Sequence, residues 1–240
     1  MPVNRESFKF FEELEKNNNK KWFDANRQSY IDNVREPMKQ LAEDIVVPVQ
    51  SVLPDFQGKP RISRINNDIR FNPKKNPYKI HSWISFYEDN PSPAEIFVFI
   101  GKEGWGAGTG IGSNKRDPLD NWRKNLIDNA DTWKSMAKAI GLGKKTHIYP
   151  GSPYKKPLYD DIPEDVYKMV QAKSVWIVDK GSRKKVKPDT TDFFSALCRV
   201  LPIYIFMAST PRSLGSRLKS LSKSVKPPNK DVAKVWKAVG

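Results

Sequence analysis

Cysteine and histidine are nearly missing from this 240-residue sequence: Cys198, His81 and His147 are all there is. One cysteine excludes an intrachain disulfide and fits a reducing compartment. So few soft ligands leave no zinc site of ordinary composition to expect, and no metal is predicted. Long apolar runs are missing too. The longest, residues 200–208, holds Pro202 and falls far short of the roughly 20 residues of a membrane span. The N-terminal residues lack the apolar stretch of a signal peptide. We therefore expect an intracellular protein, cytoplasmic or nuclear, with no membrane span.

Several chemical signatures are also absent. There is no Gly-Lys-Ser/Thr phosphate loop, and the glycine series after Gly104 has Ile111 where a dinucleotide fingerprint needs glycine. No serine sits in a nucleophile elbow. No acidic residue is followed two positions later by lysine, a pattern common in magnesium nucleases. No cofactor is expected. The acids Asp160, Asp161, Glu164 and Asp165 flank Pro163 at a helix start, where they complement the helix dipole. Cys198, beside Leu197 and Val200, reads as core packing.

What is abundant is positive charge: 42 basic against 27 acidic residues give a net +15. Such a surplus attracts polyanions and phosphorylated ligands, nucleic acid included; it also serves plain solubility.

The pattern of residues predicts an α+β fold. Ser7 is placed to cap a helix burying Phe8, Phe11 and Leu14, and Asn17 to Asn19 end it. Trp22 and Phe23 belong to a further turn. Ile31, Val34, Met38, Leu41, Ile45 and Val49 form one stripe, which Pro37 and Pro48 should kink or split. From about Gly58 the period changes. Segments 61–65, 82–87 and 95–100 read as strands joined by short links, which favours antiparallel pairing. In segment 104–112 every second residue is glycine, so one strand face is bare. Close packing of a helix against that face is one reading, and a ligand lying on it is the other. Helices are expected after Asp117 and Asp131, and over 163–172. Residues 174–178 read as a strand or a helix end, and residues 189–208 as a helical pair broken near Pro202. Lys180 to Lys187 form a basic loop. We expect one domain over 1–210, its sheet spanning about 61–111, and a basic amphipathic appendage over 211–240. That last segment holds eight basic residues and one acid.

The candidate working surface is Arg61-Ile-Ser-Arg-Ile-Asn-Asn-Asp-Ile-Arg-Phe-Asn-Pro-Lys-Lys-Asn-Pro-Tyr-Lys-Ile-His81. Arg61, Arg64, Arg70, Lys75 and Lys79 are candidate anion ligands. Asp68 and Arg70, on one face of an extended chain, can pair so that the guanidinium is oriented toward phosphate or carboxylate. Pro73 and Pro77 stiffen the loop. Asp68, Tyr78 and His81 are the candidate proton handlers if the protein is an enzyme. The same residues also read as an ion-pair network bracing a sheet edge. Trp22, Tyr78 and Trp83 are candidates for stacking bases.

This segment resembles the signature of the family called domain of unknown function 2461, whose pattern runs Arg-Asp-x-Arg-Phe-Ser-x-Asp-Lys-x-Pro-Tyr-Lys. Asp68, Arg70, Phe71, Lys75, Pro77, Tyr78 and Lys79 match it, and Asn17-Asn18 with Trp22-Phe23 resembles the family's opening. Asn67, Asn72 and Lys74 depart, standing for arginine, serine and aspartate. The resemblance implies a fold over about residues 8–209 and no particular chemistry. Three functions stay open: a polyanion-binding domain, an enzyme for a small anionic substrate, or an interaction protein.

Overall fold

A computed structural model describes residues 2–54, 56, 60–70, 72, 74–86, 94–113, 116–181, 185–224 and 226–239. The fold is α+β, as the pattern predicts. Helices α1 (Arg5–Lys16), α2 (Lys20–Ala25) and α3 (Arg27–Tyr30) lead through a π-helical turn, Ile31–Arg35, into α4 (Glu36–Val52). The cap of α1 is Asn4, not Ser7. Asn4 accepts from the Glu6 amide, and Ser7 returns the bond to the Asn4 amide, closing a capping box. Helix α4 is unbroken. Pro37 follows directly on the π-helical turn, where the Glu36 amide reaches Ile31 O, so the helix widens just before the proline instead of breaking. The carbonyl that Pro48 strands belongs to the exposed Asp44, where water can satisfy it.

The sheet has six strands: β1 (Arg61–Ile62), β2 (His81–Phe86), β3 (Glu95–Gly101), β4 (Gly104–Ile111), β5 (Thr146–Pro150) and β6 (Val175–Lys180). Their order is β1-β2-β3-β4-β6-β5, and every pairing is antiparallel. The sheet thus reaches beyond residue 111, because β5 and β6 return to its far edge after α5 (Arg116–Asp128) and α6 (Ala130–Ile140). Helix α6 stops at Gly141, which takes the left-handed conformation at φ 69°. Helix α7 (Glu164–Val170) precedes β6 and carries Glu164 and Asp165 in its first turn.

One face of the sheet is covered. Helix α8 (Thr190–Ala208) crosses β4, β3 and β6, and most of its residues are buried. It is a single helix, not a broken pair, despite Pro202. It is long and apolar enough to cross a membrane by composition, but its side chains are the centre of the core. Helices α9 (Pro211–Ser224) and α10 (Lys230–Lys237) also lie on α8. Among the described residues of 211–240, Leu214, Leu218, Leu221, Val232, Val235 and Trp236 join the same core, and Val225 lies outside the described residues.

The other face carries the glycines. Strand register puts Gly106 opposite Phe99 and Lys180, Gly108 opposite Phe97 and Val178, and Gly110 opposite Glu95 and Trp176. The helix expected on the glycine face is on the opposite one, over Ala107 and Thr109. Aromatic rings from the neighbouring strands lie across the glycines instead. A Cβ at Gly108 would stand 2.5 Å from Phe97 Cζ, and one at Gly110 would stand 2.4 Å from Trp176 Cε3. Glycine is what lets those rings lie flat.

Candidate polyanion-binding surface

The basic segment forms two arms and a loop at one edge of the sheet. Strand β1 is only two residues long, so the strand expected over 61–65 ends early. The arms stay together through Ser63 N–H to Trp83 O (2.9 Å), Lys79 N–H to Ile65 O (2.8 Å) and Asn67 N–H to Pro77 O (2.8 Å). Asn67 also donates its side-chain amide to Asn76 O at 2.8 Å. The departing residue at 67 therefore closes the base of the loop. Phe71 and Pro73 lie outside the described residues.

Asp68 and Arg70 pair as expected, through an Asx-type turn rather than along a strand. Arg70 gives Nε to Oδ1 (3.0 Å) and Nη2 to Oδ2 (2.7 Å), and its backbone amide also reaches Oδ1 (3.1 Å). These bonds hold the Asp68 carboxyl below its usual range. The Nε–Nη2 edge of Arg70 is thus already occupied by a carboxylate.

Lys79 is central to the loop. Its ammonium donates to the carbonyls of Arg64 (2.5 Å) and Asn66 (2.6 Å), and lies 5.6 Å from the centre of the Trp83 ring. Partial burial, then the charges of Lys75 and Arg64, lower its pKa. Among the described residues no carboxylate pairs with it. His81 follows on β2. The protein packed around it, and next the Lys79 ammonium, push its imidazole below the ordinary histidine value, although one edge stays exposed. Arg61, Arg64, Arg70 and Lys75 are exposed.

Tyr78 has a different setting from its neighbours. Its ring is buried and stacked on Phe23, with centroids 4.1 Å apart and planes 13° apart. Its backbone N–H donates to Asn18 Oδ1 (3.0 Å), and its carbonyl accepts from Asn18 Nδ2 (2.9 Å). Asn18 and Phe23 thus join Tyr78 in one structural tie between the N-terminal helices and the loop. Asp68, Tyr78 and His81 do not converge: Asp68 binds Arg70, Tyr78 is in the core, and the charge acting on His81 is that of Lys79.

The loop borders an aromatic platform that the separate motifs did not reveal. On the open sheet face Trp83 lies opposite Phe99 in register, and Tyr149 opposite Trp176. With Phe97 and Val178 these side chains line a shallow groove of about 510 Å³, rimmed by His81, Lys102, Glu103 and Lys180. None of them belongs to the main core cluster. The alternation of β2, β3 and β6 contained this signal: Trp83, Phe97, Phe99, Trp176 and Val178 occupy outward positions where a solvated face would be polar. Of the three stacking candidates, Trp83 alone is on this face. Trp22 packs against the core, as Tyr78 does. Part of the expected basic loop, residues 182–184, lies outside the described residues, and Lys185 pairs with Asp192 at 2.6 Å.

Fold and surface together define an α+β domain with one sheet face under helices and the other open beside a basic loop. The chain belongs to the family described as Conserved hypothetical protein (DUF2461), whose model matches residues 6–202. The match ends inside α8, before α9 and α10. Comparison with the curated proteins gives no match.

Proposed function

We propose that this protein binds phosphate-bearing polyanions, nucleic acid foremost, through the basic loop between β1 and β2. The observation that carries the reading is the crowding of Arg64, Lys75 and Lys79. Lys79 spends its hydrogen bonds on loop carbonyls, so its charge is held in place without being neutralised. Lys75 and Arg64 are close enough to lower its pKa. Cations gathered on one loop, with the ammonium of Lys79 bound to carbonyls rather than carboxylates, favour an anion between them. The net charge of +15 supports the same reading by drawing polyanions to the surface. The roles divide: Arg64 and Lys75 face the ligand, Lys79 organises the loop and adds its charge, and Arg70 is positioned by Asp68.

The test is titration of a labelled mixed-sequence single strand at several salt concentrations. Log affinity should fall with log salt by about 0.7 per phosphate contact. Arg64→Gln with Lys75→Gln should flatten the slope by one to two such steps and weaken binding at about 0.15 M salt. Both residues are exposed, so the fold should be unaffected. An unchanged slope in the double variant would show that this loop is not the site.

A further inference from the structure

We propose that the open face of the sheet is a stacking platform for two or three unpaired bases of a single-stranded nucleic acid. This rests on the polyanion reading and names the ligand class. Its starting point is the placement of the rings. Trp83 and Phe99 sit side by side on β2 and β3, and the row continues over Gly106 to Lys180 on β6. Three inter-strand steps span roughly 14 Å. A second cluster joins Phe97 to Trp176, ring centres 5.8 Å apart, with Tyr149 beyond. The glycines of β4 let the Phe97, Phe99 and Trp176 rings lie flat across the strand, so the rings themselves form a low floor on which further flat groups can stack.

Charge complementarity selects the occupant. The apolar face is not isolated: Lys79 lies over the Trp83 ring, and Arg61, on the same face as Ser85, continues the basic edge. The Arg64 carbonyl accepts from the Lys79 ammonium, and the charges of Arg64 and Lys75 act on it. Phosphates along that edge place their bases over Trp83 and toward Phe99. Flat apolar rings beside a row of cations suit a ligand that is aromatic and anionic in alternation, as a single strand is. A duplex hides its base faces and leaves the platform unused. A second copy of this chain fits poorly, because both carry +15. The acids at the rim are engaged: Glu103 lies 3.9 Å from Lys102 and 3.7 Å from Lys180, and Glu95 accepts from the Ser85 hydroxyl.

The experiment compares four probes with the full chain: a twelve-nucleotide single strand, its duplex, an abasic strand of equal length, and heparin. The single strand should bind at least about tenfold tighter than the abasic strand, since each stacked base contributes a factor of roughly 5 to 160. Trp83→Leu and Trp176→Leu should each remove a similar factor for the single strand and leave the abasic strand unchanged. Val178→Gln, an uncharged change outside the core cluster, should act the same way if a tryptophan variant is unstable. Equal binding of the abasic and normal strands would overturn the platform and leave the polyanion reading standing. No binding of any probe would end both. A shift from dimer to monomer in sedimentation on Trp83→Leu would assign the face to a second copy and overturn stacking.

Discussion

Asn18 shows how one side chain can fix the position of a motif sixty residues away. Its amide matches both polar groups of the Tyr78 backbone, so a peptide unit facing the N-terminal loop is satisfied without water. The Tyr78 ring then stacks on Phe23, four residues after the Asn19 cap of α2. Asn18→Ala leaves two backbone groups without partners and should lower stability by about 1–3 kcal/mol. Urea unfolding measures it; a loss below a few tenths would mean that water replaces the amide. The sequence made Tyr78 a candidate proton handler because it lay among charged neighbours. The structure gives it to the core, since the chain turns between Pro77 and Lys79 and sends the ring inward. Linear proximity does not determine which way a loop side chain points.

At the scale of elements, α8 explains why a proline inside a helix did not break it. Pro202 has no amide to give to the carbonyl of Cys198. That carbonyl accepts instead from the indole N–H of Trp236, on α10, at 2.7 Å. The indole ring is itself buried against α8. Trp236→Phe keeps most of the apolar contact and strands the carbonyl, so it should cost about 1–3 kcal/mol. Pro202→Ala supplies a backbone donor, so the same substitution should cost less in that background. A double-mutant cycle by chemical denaturation reads the coupling; additive effects would mean that the indole bond contributes nothing. The sequence pointed to a break at Pro202 because local rules see the missing donor and miss a partner from 34 positions later.

Across the whole molecule, one buried ion pair joins the end of α6, strand β6, helix α8 and helix α10. Arg199 donates to Asp179 at 2.9 Å, to the carbonyl of Ile140 at 3.1 Å and to Asp231, which also meets Lys145. Burial pushes the Asp179 carboxyl up, and Arg199 pulls it back. Arg199→Met leaves that carboxylate buried without its guanidinium and should cost about 3–5 kcal/mol at neutral pH. The sign with pH follows. A carboxyl whose folded pKa is raised is tolerated when protonated, and the stability it allows is lost as pH rises through that value. The deficit of Arg199→Met should therefore shrink as pH falls toward the unfolded value near 3.8. Thermal melts across pH measure it, and a deficit independent of pH would mean that water reaches Asp179.

The sequence by itself determined the α+β class, the antiparallel pairing, the Asp68–Arg70 pair and the apolar stripes of the helices. Each depends on neighbours a few residues apart, through the periods of 2 and 3.6 and the reach of a short turn. Tertiary structure alone decided which face of the glycine strand meets a helix, because alternation defines two faces and does not say which is covered. It also decided that Trp83, Phe97, Phe99 and Trp176 form one surface. They come from three strands, and only the register of β2, β3, β4 and β6 brings their rings together. Arg64, Lys75 and Lys79 were legible as charge, but the placement of Lys79 over Trp83 comes from the hydrogen bonds that fold the loop back on itself. Local patterns record how a segment folds; which segments meet is set by the burial of apolar surface and the pairing of backbone groups across the entire chain.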